Sequence, residues 1–258
     1  MKKLLVMAMA FMLVLSLNST FVFATDSKID SVAELKKQIS ENMKDGCLSV
    51  NEKEYLKANT DERTAALFIT EKFDEAVGIL NDKEEVTEIK TTGTMSLKEI
   101  YDLGDGCKLI VELSDMSDNN NSLISPLATS GSSEMWKAYG NRYFTASATV
   151  ATAVGSVELS LENHYILSAN GIDENYGKAD YTAVGLNNIS ISKKSPVITD
   201  SAARTPGASD VNMYCTYTLK QTSGSSSSYK LSTKVNYLAL DKTNKKIKVG
   251  HVWNLTKI

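Results

Sequence analysis

Tyr139–Gly171 reads YGNRYFTASATVATAVGSVELSLENHYILSANG, and this stretch decides the fold. Val157, Leu159, Leu161, Tyr165 and Leu167 fall on one face of an extended chain, and Glu158, Ser160, Glu162 and His164 fall on the other. Tyr143–Val150 is rich in β-formers, and Asn170–Gly171 is a strong hairpin signal. Working outward, the same pattern continues. Tyr181–Leu186, Ile189–Ser192, Val211–Gln221, Tyr229–Leu240 and Lys245–Thr256 read as further strands, with turn residues between them. The SGSSSS run at 223–228 and the segment Asp241–Asn244 read as hairpin tips. That density of short strands predicts an antiparallel β-sandwich over 134–258.

The front of the chain has a different period. Ser31–Glu34 and Ser49–Glu52 are capping boxes, and Thr60 is placed to cap a third helix. Ala65, Phe68, Ile69, Phe73, Ala76, Val77 and Leu80 make one apolar stripe that needs a partner surface. Gly46 is expected to end the first helix, and the second is expected to run to about Ala58. Val86–Lys90 reads as a strand. Leu97–Leu113 reads as a hairpin turning at Gly104–Gly106, whose glycines supply positive φ. The expected class is therefore α+β: a small helical region with a β-hairpin (25–113), a turn-rich linker (114–133), and the sandwich (134–258).

The first 24 residues predict a secretory signal peptide. Lys2 and Lys3 precede an apolar run at Leu4–Leu17, and Val22 and Ala24 are the small residues before a cleavage point. No transmembrane segment is expected after cleavage, and the expected location is outside the cell. Charge is divided unevenly. Residues 25–133 carry 12 Lys+Arg against 22 Asp+Glu, and residues 134–258 carry 14 against 9. Cys47, Cys107 and Cys215 are too few for a disulfide framework. Cys47 and Cys107 sit in similar turns and could pair, but small buried hydrophobes are the preferred reading.

The candidate chemistry is thin. Glu158, Glu162 and His164 share a strand face and could act as acid and base, although polar residues line the solvent face of most half-buried strands. His251 shares a face with Ile247, Val249, Trp253 and Leu255, and a Cys215–His251 nucleophile pair is conceivable in the interior. Asp115, Asp118 and Asn119–Asn121 fall in the linker, and Asp173, Asn175 and Asp180 in an expected loop; both groups read as turn chemistry and lack the regular spacing of a calcium loop. No cofactor, metal or nucleic-acid partner is expected. The motifs of nucleophilic hydrolases, zinc proteases, phosphate-binding loops and redox dithiols are absent.

The lysines are the more suggestive feature. Lys242, Lys245, Lys246 and Lys248 crowd the last hairpin, and Lys193 and Lys194 add to the same half. A basic surface outside a cell is drawn to anionic wall polymers or anionic lipid. The reading that follows is a secreted, non-enzymatic binding protein for such a polymer. One alternative is a toxin-like or bacteriocin-like effector made with an acidic pro-region, and another is a secreted hydrolase with a carboxylate site. The composition and missing motifs point away from an enzyme.

Overall fold

The computed structural model describes residues 28–43, 46–82, 88–91, 96–117, 132–186, 188–222 and 224–258. The expected signal peptide and residues 118–131 of the expected linker lie outside them.

Three helices open the described chain. In α1 (Val32–Asn42), the Ser31 side chain accepts from the Glu34 amide at 3.3 Å, and Leu35 and Ile39 are buried. The helix stops at Asn42, a turn before the Gly46 expected from sequence. In α2 (Val50–Asn59) the capping box is complete: Ser49 Oγ accepts from Glu52 N, and Glu52 Oε2 accepts from Ser49 N at 2.6 Å. The long helix α3 (Glu62–Asp82) is capped by Asp61 rather than Thr60. Asp61 Oδ1 accepts from Arg63 N at 2.7 Å and Thr64 N at 3.2 Å. A carboxylate suits the positive end of a helix better than a hydroxyl. Thr60 closes α2 instead, donating to the Leu56 carbonyl at 2.6 Å.

The rest is two antiparallel sheets. The first comprises, in spatial order, β1 (Glu88–Thr91), β2 (Ser96–Asp102), β3 (Lys108–Ser117), β5 (Gly140–Ala151), β6 (Ser156–Ser168), β7 (Gly171–Val184) and β10 (Ala202–Ala203). The second runs β4 (Ser132–Ala138), β13 (Lys246–Lys257), β12 (Ser226–Asp241), β11 (Ser209–Gln221) and β8 (Ile189–Lys193), with β9 (Val197–Asp200) also on β11. The class is the α+β sandwich read from the sequence. The alternation in β6 is strict: Val157, Leu159, Leu161, Tyr165 and Leu167 are buried. The β2–β3 turn places Gly104, Asp105 and Gly106 all at positive φ, which is why glycines flank it.

The front hairpin belongs to the first sheet. β3 pairs with β5 from Lys108↔Ala151 to Ser117↔Arg142. Ser114–Ser117 therefore continue β3, and Ser132–Ser133 already belong to β4. Helix α3 closes one end of the sandwich by bridging the sheets. Phe73 packs on Tyr229 at 5.2 Å, Tyr229 donates to Asp74 at 2.9 Å, and Gln221 donates to Thr70 at 3.2 Å. On the other sheet, Lys72 donates to the Leu103 carbonyl at 2.7 Å and pairs with Asp105 at 2.9 Å. Helical and sandwich side chains thus form one continuous core.

Asp173, Asn175 and Asp180 were expected in a loop. They lie on β7, which runs unbroken along β6 with one bulge between His164 and Tyr165. Backbone pairing to β6 outweighs the turn preference of these residues. Asp173 is engaged by Arg204, and Asp180 Oδ1 accepts from the Tyr181 amide at 2.8 Å. Among the described residues no group of three or more His, Cys, Asp or Glu could hold a metal, and no helix is long and apolar enough to cross a membrane.

Candidate functional site

The candidate site lies on the outer face of β5–β7, because that face carries the polar half of each strand. Glu162 and His164 are i and i+2 on β6 and touch directly, Glu162 Oε1 against His164 Nε2. Lys178, opposite Glu162 on β7, donates to the same Oε1 at 3.2 Å. Burial works against the charge on Glu162, but the bonds from His164 and Lys178 outweigh it, and its pKa sits below the ordinary value. Its carboxylate is therefore ionised and occupied.

Glu158 stands apart. Four residues along the strand separate it from Glu162 by roughly 13 Å at about 3.3 Å per residue. Paired glycosidase carboxylates stand about 5–9.5 Å apart. Burial, with the charges of Glu112 and Asp180, raises the Glu158 pKa. The sequence placed Glu158, Glu162 and His164 on one face, and they are there, but only the last two meet.

Register brings in aromatic partners that sequence reading missed. His164 lies between Tyr143 on β5 and Tyr176 on β7, stacked on them at 5.3 and 4.1 Å. Tyr143 donates to Met116 Sδ at 2.9 Å, and Lys178 Nζ lies 5.8 Å from the Tyr176 ring. The result is a row of side chains across four strands, with Met116 and Tyr176 each about two-fifths exposed.

Beside this row the β8–β9 turn approaches the edge of β7. Lys193 Nζ donates to the Ala179 carbonyl, and Pro196 abuts Gly177. Between the turn and the sheet is an open cleft of about 620 Å³, lined among others by Thr145, Ser160, Glu162, Lys178, Asp180, Lys193 and Lys194. It joins a candidate catalytic residue, Glu162, to two candidate binding lysines from a distant part of the sequence. The polar lining and edge position resemble a binding surface more than a closed reaction chamber.

The other lysines are elsewhere. Lys193 aligns through Tyr217 and Tyr229 with Lys257, whereas Lys246 aligns with Asp241 at the far end of β12. Twelve residues of strand separate the two levels by roughly 40 Å. Lys242, Lys245 and Lys246 are exposed at that far tip, and Lys248 is partly buried nearby on β13. The six lysines are thus two groups, and only Lys193 and Lys194 adjoin the cleft.

The interior nucleophile pair is not built. Cys215 aligns with Leu231 and Leu255, and His251 aligns with Val235 and Val211. Two strand spacings and four residues put them roughly 16 Å apart. Burial raises the Cys215 thiol, opposite to what a thiolate nucleophile needs. All three cysteines are free: Cys47 is exposed, and Cys107 and Cys215 are buried. Comparison with protein-family models, curated proteins and solved structures returns no match.

Proposed function

We propose that this chain is an exported, non-enzymatic binding protein whose cleft between β5–β7 and the β8–β9 turn engages an anionic, hydroxyl-rich polymer of a cell envelope. The observation that carries the reading is the convergence of Lys178, Lys193 and Lys194 with short hydroxyl side chains beside an aromatic row. Lysines supply attraction at a distance, Thr145 and Ser160 supply hydrogen bonds, and Tyr176 offers an apolar contact for a sugar ring. The volume falls in the range of small-ligand clefts, roughly 300–1,000 Å³. Glu162 serves here to hold Lys178 and His164 in position rather than to move protons.

The precursor reading is less well supported. Removing the acidic half would strip β3 from β5 and take away the helix whose Phe73 covers Tyr229. The hydrolase reading lacks a carboxylate pair at working distance between Glu158 and Glu162. Co-sedimentation of the protein with purified cell walls and, separately, with anionic liposomes tests the proposal. Salt-sensitive pelleting with walls is expected. Equal recovery in the supernatant at low and high salt would overturn it, and pelleting with liposomes alone would replace the polymer by a lipid surface.

A further inference from the structure

The two sheets meet around five polar side chains that the cleft does not use. Lys137 of β4 faces Asp115 of β3 between the sheets, Nζ to Oδ2 at 2.9 Å, with the side chains 1% and 4% exposed. Tyr165 OH lies 2.9 Å from His251 Nε2 and 3.4 Å from Asp115 Oδ1. His251 Nε2 is 3.7 Å from Asp115 Oδ2, and the Phe144 ring packs on the imidazole at 4.5 Å. Arg142 donates to the Ala138 carbonyl, and its Nη1 is buried with no hydrogen-bond partner among the described residues.

Two cations and one carboxylate in a dry core lose hydration that a single ion contact does not restore. The Lys137–Asp115 contact is also not an aligned hydrogen bond, because neither Nζ nor Oδ2 has a partner in hydrogen-bonding geometry. An amine and a carboxyl group held this close and shielded from water can instead condense.

We propose that Lys137 and Asp115 form an intramolecular isopeptide bond, Nζ to Cγ, with release of one water molecule. The first step is transfer of one proton from Lys137 Nζ to Asp115 across their contact, which leaves an amine lone pair and a carboxylic acid. The Nζ lone pair then attacks Cγ. The near-attack distance of about 3–3.5 Å is one small side-chain rotation from the observed contact. One amine proton passes to a carboxyl hydroxyl, the Cγ–O bond breaks, and water leaves with that proton and the acid proton. The other amine proton stays as the amide N–H. No electrons are exchanged with any other group, so no oxidant is required.

Tyr165 is placed to relay the moving proton, since its hydroxyl reaches both Asp115 and His251. Burial, aided by the charges of Lys137 and Arg142, outweighs Asp115 and holds the His251 pKa below its ordinary value, so Nε2 is available as an acceptor. Tyr165 and His251 are the proton relay in this scheme, and Arg142 supplies a positive field at the same cluster. The bond would join β3 of one sheet to β4 of the other and close the chain between residues 115 and 137. Such closure restricts the unfolded chain as a disulfide does. The chain's cysteines, all free thiols, provide no such staple.

The test is the mass of the purified full-length protein under reducing, denaturing conditions. The wild type is expected to be lighter by one water molecule than its sequence requires. Cleavage at methionine should then release residues 96–116 and 136–213 as one branched peptide, because Met95, Met116, Met135 and Met213 bound these pieces. Lys137→Arg should restore the full mass and separate the two peptides. A wild-type protein of full mass that yields separate peptides would overturn the proposal and leave an ordinary ion pair. That outcome does not depend on whether any variant folds.

Discussion

Glu174 offers a sharp test of how the sandwich interior is built. Paired opposite Tyr165 and two residues from Ile172, this residue faces the space between the sheets beside Asn163. Both carboxyl oxygens are buried with no hydrogen-bond partner among the described residues, as is Asn163 Oδ1. Burial, with a smaller contribution from the charge of Asp200, pushes the Glu174 pKa up from 4.5 to about 8. Below pH 4.5 the group is protonated in folded and unfolded chains alike. Between that point and pH 8 the unfolded chain releases the proton while the folded chain keeps it, so stability falls as pH rises. At about 1.4 kcal/mol per pH unit the separation amounts to about 4–5 kcal/mol. Part of the side chain reaches the surface, and screening lowers the expected value to about 2–4 kcal/mol.

Glu174→Gln keeps the shape and removes the titration. Urea unfolding of wild type and variant at pH 5 and pH 8.5 measures the effect. The variant should gain about 2–4 kcal/mol on the wild type between the two pH values. Other raised carboxylates, such as Glu99 and Glu158, cancel in the difference. Parallel pH profiles for the two proteins would refute the claim that Glu174 is buried as a neutral acid.

Two further outcomes follow from the packing. Phe73→Ala should cost about 3–5 kcal/mol, because the ring is fully buried against Tyr229. The loss should appear in one transition seen alike by helical circular dichroism and by fluorescence of Trp253, a core residue of β13. A fluorescence transition that ignores the substitution would show that α3 and the sandwich unfold separately. A thiol reagent should modify Cys47 in the native protein and reach Cys107 and Cys215 only on unfolding, since burial pushes the Cys107 thiol up to about 12 and also raises Cys215. Fast native modification of more than one cysteine would contradict the described core.

Periodicity made some of this legible and left the rest hidden. The face of β6 and the stripe of α3 followed from spacing, because a buried face imposes its period on the residues that fill it. Ser114–Ser117 read as linker because their composition is turn-like, yet pairing with β5 draws them into a strand. Asp173–Asp180 misled for the same reason. The row Tyr143, His164, Tyr176 depends on register. The chain turns at Ala169–Asn170, pairing Ser168 with Gly171; continued without a bulge this register would oppose His164 with Asn175, and the bulge moves Tyr176 there instead. The cleft was further out of reach, since Lys193 meets Glu162 only through the meeting of two sheets. Asp115 was read as a turn residue, and only the packing of β3 against β4 brings it to Lys137.

The most direct measurement is co-sedimentation with purified cell walls at low salt, comparing two charge reversals. Lys193→Glu with Lys194→Glu should weaken binding on the order of tenfold, taking about 0.7 kcal/mol for each exposed lysine reversed. Lys242→Glu with Lys246→Glu, roughly 40 Å away along the strand, should leave binding close to the wild type. Loss of binding in the second pair with retention in the first would contradict the account and move the site to the final hairpin.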